Sequence, residues 1–226
     1  LSIDEMLEHF NLDRRDRSLL ISRIRLPVNQ AVHGLSLASF KGLSAVDCRN
    51  LINQAHQQVS AKHQQNFAAR KKYLDEHLAS VDRLLKQFYA KAEAPRIRED
   101  ESLKVARFIE FLNLRRQEIE LLGKRAYEEY LIEFKSSLAE LEYFEKTQVG
   151  GEKFDEAFFA GNTDSRTRAL QELENRFVEE IAANQQKLRE KFAAEEPAKP
   201  AQASPAGASS SLDISLPDLP EIKTLD

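Results

Sequence analysis

The chain has 226 residues, of which 42% are hydrophobic and 31% are charged, with seven glycines, seven prolines and no tryptophan. Glu, Lys, Arg, Leu, Ala and Gln dominate, a composition that is typical of long helices and disfavours a compact α/β or all-β domain. The formal net charge is −4, and residues 1–194 carry equal numbers of acidic and basic groups, which disfavours a general nucleic-acid binder because such proteins normally carry a basic excess.

The sequence also indicates a compartment. Cys48 is the only cysteine, so no internal disulfide can form and a reducing compartment is expected. No apolar run reaches 18 residues, so no transmembrane helix is predicted. The first residues, LSIDEMLEHF, lack the basic and apolar regions of a secretory signal. We therefore expect a cytoplasmic protein, although the absence of an initial Met leaves open whether the chain is full length.

Residues 1–43 are interpreted as short amphipathic helices. Ser2 and Glu5 have the spacing of a capping box, which predicts a helix that begins there. A basic cluster follows beside apolar residues and would suit peripheral contact with an anionic membrane or another anion. Acidic neighbours dilute the cluster, so a structural helix is the favoured interpretation. The cluster comprises Arg14, Arg15, Arg17, Arg23 and Arg25.

Residues 44–194 are predicted to form a long helical hairpin and a third helix. Ser44, three residues before Asp47, is the predicted N-cap of a first helix over 45–94, which contains neither Pro nor Gly. Its second half has an apolar stripe at coiled-coil spacing, namely Phe67, Leu74, Leu78, Val81, Leu85 and Phe88. Its first half is mostly polar, with a thin stripe of Ile52, Ala55 and Val59. We expect this half to project from the body or to be covered by a partner.

A second helix is predicted over 100–147, after the turn at Pro95 and before Gly150 and Gly151. It is apolar on several faces, which requires at least two neighbouring helices, and its stripe changes phase near Gly123. This pattern favours a bundle over a strict two-stranded coiled coil. A third helix is predicted over 165–194, after the aromatic segment FDEAFFAGNTDS. The predicted fold is therefore all-α, an elongated hairpin or three-helix bundle with coiled-coil character.

Catalytic and cofactor motifs are not recognisable in the sequence, so we expect a non-enzyme without a metal or cofactor. His56, His63 and His77 are spaced by multiples of seven, and neighbours seven residues apart lie about 10 Å apart along a helix. One helix therefore cannot bring two of them to one metal, and we interpret them as a polar, solvated flank. Carboxylate pairs such as Glu128 and Glu129 are interpreted as ordinary helix-surface charges.

The C-terminal region divides into a linker, 195–211, and an apolar-acidic motif, 212–226. The linker is rich in Ala, Pro and Ser and is expected to be disordered. From Glu195 onward there are six acidic and two basic residues, a net charge of −4, so residues 1–194 carry 31 of each sign. The motif spaces six large aliphatic residues between acids and two prolines, and these are Leu212, Ile214, Leu216, Leu219, Ile222 and Leu225.

Three interpretations of the motif remain open. Its alternating part suits strand addition to a partner, and LPDLP suits an extended docking segment. The motif also suits a segment that folds back onto the chain's own bundle. In the third interpretation the motif has no function.

We expect a non-enzymatic helical adaptor or scaffold subunit of a multiprotein assembly, for example a secretion apparatus, whose tail docks a second partner. The alternative is a dimeric membrane-surface module of BAR-like architecture. Partners would be other proteins of a complex rather than nucleic acid, and a homo-oligomer is compatible with the sequence.

Overall fold

The computed structural model describes residues 32–195, and three long helices account for most of them. A 3-10 turn at Leu37–Phe40 is followed by α1 (Ala45–Ala92), α2 (Glu99–Gln148) and α3 (Ala157–Glu195). The central helix α2 packs against both α1 and α3. Since residues 32–195 contain no strand, the predicted all-α helical bundle is confirmed for this part of the chain.

The ends of α1 and α2 follow from local sequence. The Ser44 hydroxyl accepts a hydrogen bond from the backbone N–H of Asp47 at 3.1 Å, so the predicted N-cap of α1 is confirmed. At the same end of the hairpin, α2 stops next to the two glycines, as expected. Gly151 has φ +79°, a left-handed conformation that disfavours any residue with a Cβ atom.

The third helix begins at Ala157, eight residues earlier than the sequence predicts. The Asp155 side chain accepts a hydrogen bond from the Ala157 N–H at 3.0 Å and thereby caps the helix. Tyr143 of α2 holds this cap in place, because its hydroxyl accepts from the Asp155 N–H at 2.7 Å and its ring stacks on Phe158 at 4.1 Å. These contacts between distant residues extend the helix through Gly161.

The main hydrophobic core takes side chains from all three helices. From α1 it includes the buried stripe Leu74, Val81, Leu85 and Phe88. Phe111 and Leu114, which lie on other faces of α2 than its main stripe, are also buried. The expectation that α2 has at least two neighbours is therefore confirmed.

A second core buries the first half of α1, where the sequence-based expectation was wrong. Ile52 and Val59 are 1% and 0% exposed, in a cluster with Leu141 and Phe144 of α2. Phe40, just before α1, closes the cluster with its ring 5.0 Å from that of Phe144. This half neither projects from the body nor needs a partner, because the chain itself covers the thin stripe.

Candidate partner-binding surface

The site residues predicted from the sequence lie outside residues 32–195. They are the tail positions Leu212, Ile214, Leu216, Leu219, Ile222 and Leu225, and the arginines Arg14, Arg15, Arg17, Arg23 and Arg25. Both sets remain predictions.

Within the described residues, an apolar surface follows one flank of α2 where it faces α1. We call this surface the aromatic strip, and its members are Phe67 of α1 and Tyr127, Tyr130, Leu131, Phe134 and Leu138 of α2. Residues 127, 131, 134 and 138 share one helical face because they are three or four positions apart. Tyr127 is 49% exposed and Leu131 is 45% exposed. Adjacent exposed apolar side chains of this kind often mark an interaction site.

The rings of the strip support one another. The Phe67 ring lies 5.6 Å from that of Tyr127 and 5.4 Å from that of Tyr130, which joins the two helices. Tyr130 in turn stacks on Phe134 at 5.8 Å with only 4° between the ring planes. Such ring pairs add about 0.5–1.5 kcal/mol beyond simple burial. The strip is therefore a pre-organised surface rather than a set of independent side chains.

Two lysines flank the strip on its solvent side. Lys124 precedes Tyr127 by three residues and Lys135 follows Leu131 by four, so both lie beside the exposed pair. Both lysines are exposed, and no carboxylate between residues 32 and 195 forms an ion pair with either. The solvent edge of the strip therefore presents two lysines without a direct ionic partner in residues 32–195, with the acidic Glu128 between them in the sequence.

A network of buried ion pairs crosses all three helices at the level of the strip, on the opposite side of α2 from Tyr127 and Leu131. Glu129 accepts a hydrogen bond from Arg70 of α1 at 3.0 Å and another from Arg125 at 2.9 Å. Arg125 also pairs with Glu174 of α3, and its guanidinium lies 4.9 Å from the Phe177 ring. The side chains of Arg70, Glu129 and Arg125 are 6%, 10% and 5% exposed. The network therefore links the three helices through charges that are almost completely removed from water.

Burial changes the proton affinities of groups near this network. Burial raises the pKa of Glu133, one turn after Glu129, although Arg166 and Arg70 oppose the change. Burial also lowers the pKa of His63, and the positive charges of Arg166 and Arg70 lower it further. The site thus favours a neutral imidazole at position 63.

Polar contacts also fix the two ends of the bundle. Near the end that contains the 3-10 turn, Glu140 pairs with His33 at 2.5 Å and accepts a hydrogen bond from Asn162 at 3.2 Å. Towards the other end, Glu118 pairs with Arg115 at 2.6 Å and accepts from Gln185 of α3 at 2.8 Å. Each carboxylate joins α2 to another part of the chain, so its evident role is structural.

The histidines of α1 do not form the solvated flank expected from sequence. His63 is only 2% exposed, and its Nε2 lies 3.1 Å from the Ser137 hydroxyl of α2. His77 is half-buried beside Tyr73, with ring centroids 4.8 Å apart, and His56 is partly exposed. Between residues 32 and 195, no group of three His, Cys, Asp or Glu side chains is placed to bind a metal ion.

The carboxylate pair also differs from the expectation of two surface charges. Glu128 lies near the surface, 3.5 Å from Arg176, but Glu129 is buried in the ion-pair network. A sequence signal for this burial existed, because Arg70 falls between Phe67 and Leu74 on the apolar stripe of α1. A charged residue in phase with a buried stripe needs an opposite charge on the facing helix.

Among the helices of the described region, none has both the length and the apolar content required to cross a lipid bilayer. Comparison of the chain with models of protein families, with curated proteins and with solved structures found no match.

Proposed function

We propose that the chain is a non-enzymatic scaffold or adaptor subunit of a protein assembly. In this proposal the bundle binds one protein partner through the aromatic strip, and the tail motif, residues 212–226, docks a second. The single observation that supports it most is the exposure of Tyr127 and Leu131 beside ring contacts that join α1 to α2.

The chemistry of the strip suits protein recognition. Tyrosine is enriched among the residues that contribute most to binding energy, because it buries a large ring and retains a polar hydroxyl. The strip presents two tyrosines beside exposed lysines, which resembles an apolar contact with a polar rim. Glu133 and His63, whose pKa values burial shifts, lie between the helices at the level of this surface, which supports a structural role for them rather than a catalytic one.

The strip is tested by capturing partners with the full chain and with Leu131→Asp. The matched control is Val178→Asp, because Val178 on α3 is 52% exposed and the substitution adds the same charge. We expect Leu131→Asp to lose a partner that Val178→Asp retains, with both variants as helical as the parent by circular dichroism. Equal retention of every partner by both variants would contradict the role of the strip.

The tail is tested separately, with Leu216→Asp combined with Leu219→Asp. The matched control is Ser204→Asp with Ser210→Asp, which adds two negative charges to the linker without removing an apolar side chain. We expect the variant with Leu216→Asp and Leu219→Asp to lose one partner, and this partner should differ from the one that Leu131→Asp loses. If both double variants capture the same proteins as the parent, the tail is not a docking motif.

A further inference from the structure

We propose that the tail motif, residues 212–226, docks on the aromatic strip of its own bundle when no partner holds it. The tail would thus be an intramolecular ligand that shields the strip, and a partner of either element would have to displace it. The inference goes beyond the proposed function, and it rests on reach, charge and surface chemistry.

The tail is long enough to reach the strip. The helix α3 ends at Glu195, and Phe192 lies against Arg107 near the start of α2. At 1.5 Å per residue, the nearer end of the strip at Tyr127 is roughly 35 Å further along α2 from the level of Glu195. Sixteen residues separate Glu195 from Leu212. In extended form they span about 50 Å, so Leu212 can reach Tyr127.

The lengths of the two surfaces also agree. From Tyr127 to Leu138 the strip measures roughly 16 Å along α2. An extended segment from Leu212 to Leu219 covers about 23 Å at 3.3 Å per residue. The alternate aliphatic residues of this segment can therefore contact the strip along its whole length, with the prolines favouring an extended form over a helix.

The two lysines beside the strip offer ionic partners for the acidic residues of the tail. The tail motif contains four acidic residues, Asp213, Asp218, Glu221 and Asp226, against the single base Lys223. The strip is flanked by Lys124 and Lys135, which are exposed and unpaired within residues 32–195. Pairing across an exposed boundary of this kind adds modest affinity but favours this segment over a basic one.

The tether favours the same chain over a second copy. A short flexible linker holds its ligand at an effective concentration on the order of 1 mM, far above the micromolar protein concentrations of a typical assay. A tail–strip contact with a Kd of about 100 μM would therefore be closed about ten times as often as open within one chain. The same contact between two chains would be mostly dissociated at micromolar concentration.

The test measures binding of a fluorescent peptide of residues 212–226 to full-length chains by anisotropy. The chain with Leu216→Asp and Leu219→Asp has a vacant strip in this proposal and should bind the peptide. The parent chain should bind it about ten-fold more weakly, because its own tail competes. Adding Leu131→Asp to the tail variant should weaken binding at least ten-fold, whereas adding Val178→Asp should leave it unchanged. A peptide that itself contains the two aspartates should not bind.

Three results would overturn the inference. They are no binding of the peptide to the tail variant, equal binding to the parent and the tail variant, and equal weakening by Leu131→Asp and Val178→Asp. The inference would also be overturned if the parent chain, but not the tail variant, formed a dimer in solution at micromolar concentration. The tail would then bind the strip of a second copy. The proposed function is independent of this outcome, because its partners are scored by capture with the tail and strip variants.

Discussion

Neutralising Glu129 tests whether the buried ion-pair network stabilises the bundle. Glu129→Gln keeps the size of the side chain but removes the negative charge that lies between Arg70 at 3.0 Å and Arg125 at 2.9 Å. The new amide N–H₂ would also face guanidinium donors, so one charge-assisted hydrogen bond is lost. Arg125 retains Glu174, whereas Arg70 loses its direct carboxylate partner.

The magnitude follows from the burial of these groups. Removing one member of a buried ion pair costs about 3–5 kcal/mol, since it leaves a charge away from water without a partner. The remaining Arg125–Glu174 pair and the retained carbonyl oxygen place the expected loss at the lower end, about 3 kcal/mol. For a chain of this size that corresponds to a Tm lower by roughly 6–12 °C.

Glu133→Gln is the matched control, because it removes the same charge one turn further along α2. Burial already raises the pKa of Glu133, so its charge is unfavourable in the folded state and its removal should change stability by less than about 1 kcal/mol. Urea unfolding followed by far-ultraviolet circular dichroism measures both variants. Equal losses, or a loss below about 1 kcal/mol for Glu129→Gln, would refute the reasoning.

Three further predictions concern the second core, His63 and the glycines. Ile52→Ala should lower the free energy of unfolding by about 2–5 kcal/mol, because it opens a cavity in the second core. The control Val46→Ala, at a position 65% exposed on the same helix, should change it by less than about 0.5 kcal/mol. Similar losses for the two variants in urea titrations would contradict the second core. Since the pKa of folded His63 lies below the ordinary 6.5, its contribution to stability is complete above pH 6.5 and is lost as pH falls below it. His63→Gln should therefore reduce the slope of stability against pH in this acidic range, by at most about 1.4 kcal/mol per pH unit, and an unchanged slope would exclude this role. Gly161→Ala should raise stability by about 0.5–1 kcal/mol, because Gly161 lies inside a helix and a Cβ there meets nothing within 4 Å. Gly151→Ala should lower stability, because its φ is +79°. Tm measurements with the opposite signs would contradict these two predictions.

Local patterns predicted the parts of the fold that depend on neighbours in sequence. Ser44 and Asp47 identify the start of α1, and the glycines after α2 identify its end, because caps are contacts between adjacent residues. The apolar stripe of Leu74, Val81 and Phe88 likewise identifies a buried face by its spacing alone.

The sequence could not predict features that depend on distant residues. Ile52 and Val59 form too thin a stripe to indicate burial, and only contact with Phe144, some ninety residues away, explains why water is excluded there. Likewise, α3 begins early because Tyr143 holds Asp155 in a capping position. The sequence spaces Tyr127, Leu131, Phe134 and Leu138 on one face of α2, but the exposure of that face depends on which flank α1 and α3 leave uncovered.

The ion pair and the strip are connected by the alignment of α1 with α2. Arg70 lies one turn after Phe67, and Glu129 is adjacent to Tyr130, so the contact that joins the two charges also sets the two rings 5.4 Å apart. A shift of α2 by one turn in one direction would place Arg70 against Arg125, which like-charge repulsion in a buried site disfavours. An apolar pair at these positions would tolerate such a shift more readily. The buried charges thus contribute to the exposed surface by fixing where the aromatic rings of α1 meet those of α2.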